Sequence, residues 1–342
     1  MVHMVYGVML FSAMLQVNGG LLERGRAQYH AGQYPAAEAS FLNALEEVER
    51  GDDSERAEIL AELGSVYTNE DKLSKAEQAY EQSLTIYKRL PNQKQVALLL
   101  RHIGAVYSLQ GREDDALRVL QQALKLTRAN HDAELEVEVL NIVGVVHYRR
   151  GKNSKAEACF KQALDAASRA GVQAELGELL NNLGNVYQAE RKYAEAETLL
   201  KRALQHTESA VGASHPDLTF TLSSLGSLYT TTGRYAEAEE QYRRALTILG
   251  PVQSDFETRV ARLLHALSAT YMKSGNTPEA GAVLERAAGI ARRNVNQHTD
   301  MALIIEDYAG LLKSQGKFQE ANELVLEARR ARAAASLVTT WH

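Results

Sequence analysis

Alanine occupies eight positions that fall 39 to 42 residues apart: Ala37, Ala76, Ala116, Ala156, Ala196, Ala238, Ala280 and Ala321. A period of that length, kept eight times, means that one supersecondary unit is reused along the chain. That excludes a single globular core built around one site. Other residues keep the register. Nine positions before each alanine stands an aromatic or its replacement (Gln28, Tyr67, Tyr107, His147, Tyr187, Tyr229, Tyr271, Leu312), and seven after it a second small residue (Ala44, Ser83, Ala123, Ala163, Ala203, Ala245, Ala287, Ala328). A leucine or isoleucine opens each unit, from Leu21 and Leu60 to Leu264 and Ile305.

Within a unit the apolar and small positions fall three, four or seven apart, as in Leu180, Leu183, Gly184 and Tyr187, then Ala196, Leu200 and Ala203. Those intervals are helical, and no strict alternation competes with them. Four residues after the aromatic slot stands Gly32, Gly111, Gly151, Gly233, Gly275 or Gly316, replaced only by Asp71 and Arg191. A glycine there ends one helix in the left-handed conformation and lets the next fold back. Each unit therefore reads as an antiparallel helix pair, with small residues where helices approach closely and bulky ones (Phe41, Tyr80, Leu120, Phe160, Leu200, Tyr242, Leu284, Val325) filling the remainder.

The run Leu180, Leu183, Gly184, Tyr187, Ala196, Leu200, Ala203, with Arg191 in place of the turn glycine, resembles the tetratricopeptide repeat family. The resemblance covers about residues 20–335. It implies an all-α fold, a right-handed α-solenoid of about eight antiparallel helix pairs. The period exceeds the family's usual 34, which implies lengthened helices. His215-Pro216-Asp217 followed by Leu222, Leu225, Gly226 and Tyr229 looks like the kinesin-light-chain type, whereas the units around Tyr107 and Tyr187 look like repeats of polarity scaffolds and bacterial peptide sensors.

No Pro/Gly/Ser-rich linker interrupts the period, so the repeats are expected to form one continuous array, with residues 336–342 as a tail. Pro35 and Pro278 fall in the first turn of second helices, where proline is tolerated. Residues 1–19 hold no Lys or Arg, and the apolar run Val5 to Leu15 is too short to span a bilayer. It suits a helix capping the first unit; a secretory signal, the other reading, would want a basic start and small residues at a cleavage site. The cap reading makes the protein cytoplasmic, the signal reading exported. The single cysteine, Cys159, excludes an internal disulfide and reads as a small buried filler beside Phe160.

Nothing in the chain calls for an enzyme. The histidines form no H-E-x-x-H pattern, His147 sits in an aromatic slot as a packed residue, and no phosphate-loop, dinucleotide or nucleophile-elbow motif occurs. No paired ligands suit zinc, and no cofactor is implied. The net charge of −5, with both signs scattered, gives no basic stripe for nucleic acid. Arg329, Arg330 and Arg332 suit the last turns of a terminal helix, where cations oppose its dipole.

The informative surface belongs to the first helices. Six residues before the aromatic slot stand Arg101, Asn141, Asn181, Ser223 and His265, with His102, Asn182, Asn185, Ser224 and Ser227 nearby. Packed helices lie roughly 8–10 Å apart, so this row predicts a polar ladder facing away from the Leu and Ala seam. Asparagine both donates and accepts, which suits the amides of an extended peptide; exposed Asn and Ser that contact only water are the plainer alternative. The family resemblance implies that these positions line a concave, peptide-binding face. The row lacks the lysine that a two-carboxylate clamp needs. Glu58, Glu62, Glu138 and Glu178 flank it, favouring a partner with basic character. The expected function is thus a non-enzymatic scaffold for a partner peptide or protein. The alternative is a sensor whose superhelix responds to a signalling peptide and modulates an effector.

Overall fold

A computed structural model describes residues 20–48, 52–250, 256–295 and 301–340. Among them lie sixteen α-helices and no strand, arranged as eight pairs. The pairs are α1 (20–30) with α2 (Tyr34–Glu47), α3 (Asp53–Asn69) with α4 (Leu73–Tyr87), α5 (Gln93–Leu109) with α6 (Glu113–Ala129), and α7 (Ala133–Arg149) with α8 (Asn153–Ala170). They continue as α9 (Leu176–Ala189) with α10 (Tyr193–Val211), α11 (Leu218–Thr231) with α12 (Tyr235–Leu249), α13 (Glu257–Ser274) with α14 (Thr277–Asn294), and α15 (Met301–Ser314) with α16 (Phe318–Thr340).

The chain divides into two compact units, Met1–Glu175 and Leu176–His342. The division follows Gly171, which ends α8 at φ 71°. The last helix runs to Thr340, so the tail expected from residue 336 continues the helix. Residues 1–19, read as a cap or a signal, lie outside the described residues.

Every pair closes with the same turn. The residue four after the aromatic slot has positive φ in all eight repeats, and the next N–H donates to the slot residue's carbonyl, at 2.8 Å for Lys192 to Tyr187 and 3.0 Å for Lys317 to Leu312. This six-to-one closure satisfies a carbonyl left over at the helix end. Asp71 (φ 58°) and Arg191 (φ 61°) hold the conformation without being glycine, against a Cβ penalty of about 1–2 kcal/mol. Arg191→Gly is therefore expected to raise the unfolding free energy by about 1 kcal/mol, less the greater freedom of glycine in the unfolded chain. A urea midpoint unchanged or lowered by the substitution would sink that expectation.

The small positions are where the helices meet. All eight register alanines are at most 1% exposed, as are the eight second small residues; Ser83, the polar one, donates to the Ala57 carbonyl at 2.6 Å. A second contact fixes how closely the two helices of a pair approach. In six repeats a glycine of the first helix lies against the bulky residue sixteen positions on, so that a Cβ on Gly25, Gly64, Gly144 or Gly226 would sit 2.5–2.6 Å from a ring atom of Phe41, Tyr80, Phe160 or Tyr242. Where the bulky residue shrinks to Val325, Ala309 replaces the glycine, and opposite Leu284 stands Ser268. Pro35 and Pro278 occupy first-turn positions of their helices, as their placement predicts. Cys159 is half-buried, and burial pushes its thiol pKa up.

Successive repeats are joined by a polar clasp that the apolar register does not reveal. The residue after the turn position is basic in Lys72, Arg112 and Arg234, and each reaches the glutamate that follows the preceding repeat's register alanine: Glu38 at 2.9 Å, Glu77 at 2.8 Å and Glu197 at 2.6 Å. The Arg112 and Arg234 guanidiniums also lie over the Tyr107 and Tyr229 rings, 4.0 and 4.2 Å from their centroids. Arg234, reinforced by Lys201 and Tyr229, holds the Glu197 carboxyl down to about 2. These groups are largely solvated, so each pair adds modestly to stability and mainly fixes how one repeat docks on the next. In the fourth repeat the device lapses: Leu117 replaces the glutamate and His147 the tyrosine.

Candidate functional site

Stacking the repeats sets first helices side by side within each unit, and their polar residues meet across these contacts. The predicted ladder is divided by the unit boundary. Arg101, His102 and Asn141 belong to the first unit, and Asn181, Asn182, Asn185, Ser223, Ser227 and His265 to the second.

In the first unit the face is charged. Arg101 on α5 places Nε 3.0 Å from Glu138 Oε2 on α7, and its Nη2 donates to His102 Nε2 at 2.8 Å. Burial pushes the Glu138 carboxyl up against the pull of Arg101, with Glu175, Asp132 and Glu134 adding to the rise. His102 is half-buried; its ring stacks on Tyr80 with centroids 4.9 Å apart and planes 12° from parallel. Burial, reinforced by Arg101, holds the His102 pKa down at about 3, so the ring is neutral at physiological pH. It is a packed member of the wall, where the ladder predicts an exposed rung.

Towards α1 the face opens into a recess of about 190 Å³, lined by Arg26, Glu58, Ala61, Glu62, Ser65, Tyr87, Gln95, Leu98, Leu99 and His102. Arg26 on α1 donates through Nε to Glu62 at 2.8 Å, through Nη1 to Glu23 at 2.8 Å, and through Nη2 to Glu58. Arg26 was not among the predicted contacts. It stands two residues before its repeat's aromatic slot, the position of Asn185, so extending that register to the first repeat would have found it.

In the second unit the face is largely uncharged. Gln188 on α9 donates to Ser227 Oγ at 3.1 Å and to Thr231 Oγ1 at 3.3 Å on α11. Asn182, Asn185 and Ser223 are half-buried and Ser227 is exposed. His265 on α13 lies with Nε2 2.7 Å from Asp307 Oδ2 on α15. Asn181 departs from its predicted exposure: it is 8% exposed, and its Oδ1 is buried without a hydrogen-bond partner. Asn141 in the first unit is likewise buried, at 7%. The reason is angular. At 100° per residue Asn181 lies about 60° from Gly184, on the flank turned to neighbouring helices, whereas Asn182 and Asn185 lie roughly opposite the seam.

No helix among the described residues is long and apolar enough to cross a membrane. A family model described as tetratricopeptide repeat matches residues 18–89, 95–169 and 175–249. No curated protein matches the chain. Among solved structures, a Rap protein complexed with Competence and Sporulation Factor is similar at 19% identity and a TM-score of 0.63, covering 81% of this chain and 76% of that one. Aspartyl phosphate phosphatase F from Bacillus subtilis is similar at 15% identity and TM-score 0.65 (81% and 71%). The Rap conjugation gene regulator of plasmid pLS20, in complex with the Phr* peptide, is similar at 15% and 0.56 (96% and 76%). At these identities the likeness establishes the fold.

Proposed function

The chain belongs to the tetratricopeptide repeat family, and from that premise we propose that it is a non-enzymatic interaction scaffold whose first-helix faces hold an extended partner segment. The observation that carries this reading is the amide and hydroxyl face of the second unit, formed by Asn182, Asn185, Ser223 and Ser227. Asparagine amides can both donate to and accept from the backbone of an extended segment lying on that face. The same fold holds a peptide in the plasmid regulator's complex, which supports the reading by analogy.

The test uses a displayed library of random dodecapeptides. Selected peptides are expected to lose about tenfold in affinity on Asn182→Ala/Asn185→Ala, from a few hydrogen bonds at about 0.5–1.5 kcal/mol each, while the melting curve barely moves. Asn181→Leu, on the buried flank, is expected to leave the fold as stable or more so, because it removes an unsatisfied polar atom. Selected peptides whose affinity none of these changes alters would place binding elsewhere than this face.

A further inference from the structure

The recess on the first unit combines two properties that point to one kind of guest. Its lining combines apolar residues, Leu98 and the buried Tyr87 among them, with the carboxylates of Glu58 and Glu62. These carboxylates already grip a cation: Arg26 donates to Glu58, to Glu62 and, outside the recess, to Glu23. Within the recess one guanidinium faces two carboxylates, a formal excess of one negative charge. Glu58 and Glu62 keep 44% and 25% of their side-chain surface exposed, so Arg26 does not close them off. His102, also in the lining, adds no positive charge at neutral pH.

We infer that this recess is a pocket on the first unit for a lysine or arginine side chain of a partner segment, its aliphatic stem along Leu98 and Tyr87 and its charged head at Glu58 and Glu62. The inference rests on the peptide-binding reading and adds to it which side chain is selected, and where. An anion is opposed by the excess negative charge, and a wholly apolar side chain would strip water from the carboxylate surface that Arg26 does not cover, which is costly. A lysine or arginine satisfies both parts of the lining, since such side chains lay apolar stems against apolar surface and keep the charge at one end. The carboxylates are only partly screened here, so the pairing gains more than an exposed surface pair does.

The test selects dodecapeptides on the full-length protein and on Glu58→Gln/Glu62→Gln. The parent is expected to enrich lysine or arginine at one fixed position, and the variant to lose that enrichment while still returning peptides. For a peptide selected on the parent, replacing that lysine or arginine by norleucine should lower affinity tenfold or more. The same replacement should have little effect on the Gln variant. This arm changes the ligand, so it does not depend on how the variant folds. Arg26→Gln separates a pocket from a structural ion cluster: freeing the carboxylates should keep or tighten binding of the basic peptide, whereas a cluster that only holds the helices would weaken it. Peptides enriched without a basic position, or a norleucine effect equal on both proteins, would overturn the pocket and leave the scaffold reading standing. Failure of the parent to enrich any peptide would overturn both.

Discussion

Phe160→Ala is expected to lower the unfolding free energy by about 3–5 kcal/mol, and Gly144→Ala by about 1–3 kcal/mol, yet the two together should cost clearly less than their sum. Phe160 is wholly buried, and a Cβ on Gly144 would lie 2.5–2.8 Å from three of its ring atoms. A ring closed in on all sides cannot step aside for a methyl group, so overpacking outweighs the roughly 1 kcal/mol that alanine gains over glycine in a helix. Removing the ring opens a cavity, and the new methyl then occupies part of it. The chain contains its own precedent in Ala309 opposite Val325, so Gly144→Ala/Phe160→Val should recover part of the loss as well. Urea unfolding followed by circular dichroism measures all of these variants, and hydrogen exchange in α7 and α8 localises the effect. Strict additivity would mean that the glycine and the ring do not set the approach of the two helices.

That contact explains why so much of the fold is legible in the sequence. Close approach of helices admits only small side chains, and the geometry repeats, so Ala196, Gly184 and Leu200 recur in register and announce both the helix pair and its count. The turns are legible for a related reason, since the left-handed position after each aromatic slot selects glycine six times in eight. The clasp is not legible in the same way. Glu197 and Arg234 stand 37 residues apart, Glu38 and Lys72 only 34, and charged residues are common on any helix surface. The candidate site falls between these cases. Membership of the first-helix face follows from periodicity, but the exposure of each residue depends on neighbouring helices, which is why Asn182 and Asn185 stand half-open while Asn141 and Asn181 are buried. The recess needs three successive first helices to form, and its cation, Arg26, comes from the repeat whose aromatic slot holds Gln28, the weakest match to the pattern.

The second large effect is acid sensitivity through His102. Its folded pKa of about 3 lies well below the ordinary 6.5, because burial against Tyr80 and the adjacent Arg101 guanidinium disfavour the imidazolium. Below pH 6.5 the unfolded chain therefore binds a proton that the folded chain refuses, so stability is full above that pH and falls as pH drops towards 3. The loss approaches about 1.4 kcal/mol per pH unit once the unfolded histidine is mostly protonated. His102→Phe keeps a ring to stack on Tyr80 but cannot titrate, so its stability should stay nearly level between pH 7.5 and 5.5 where the parent's declines. The comparison belongs in that range because acids such as Glu197, held down to about 2, lose their stabilising pairs only as pH falls from the ordinary carboxylate range towards that value. Urea midpoints for the two proteins at half-unit steps of pH make the measurement. Parallel curves would mean that the folded His102 accepts its proton as readily as the unfolded one, and would remove the neutral wall that the basic side-chain pocket assumes.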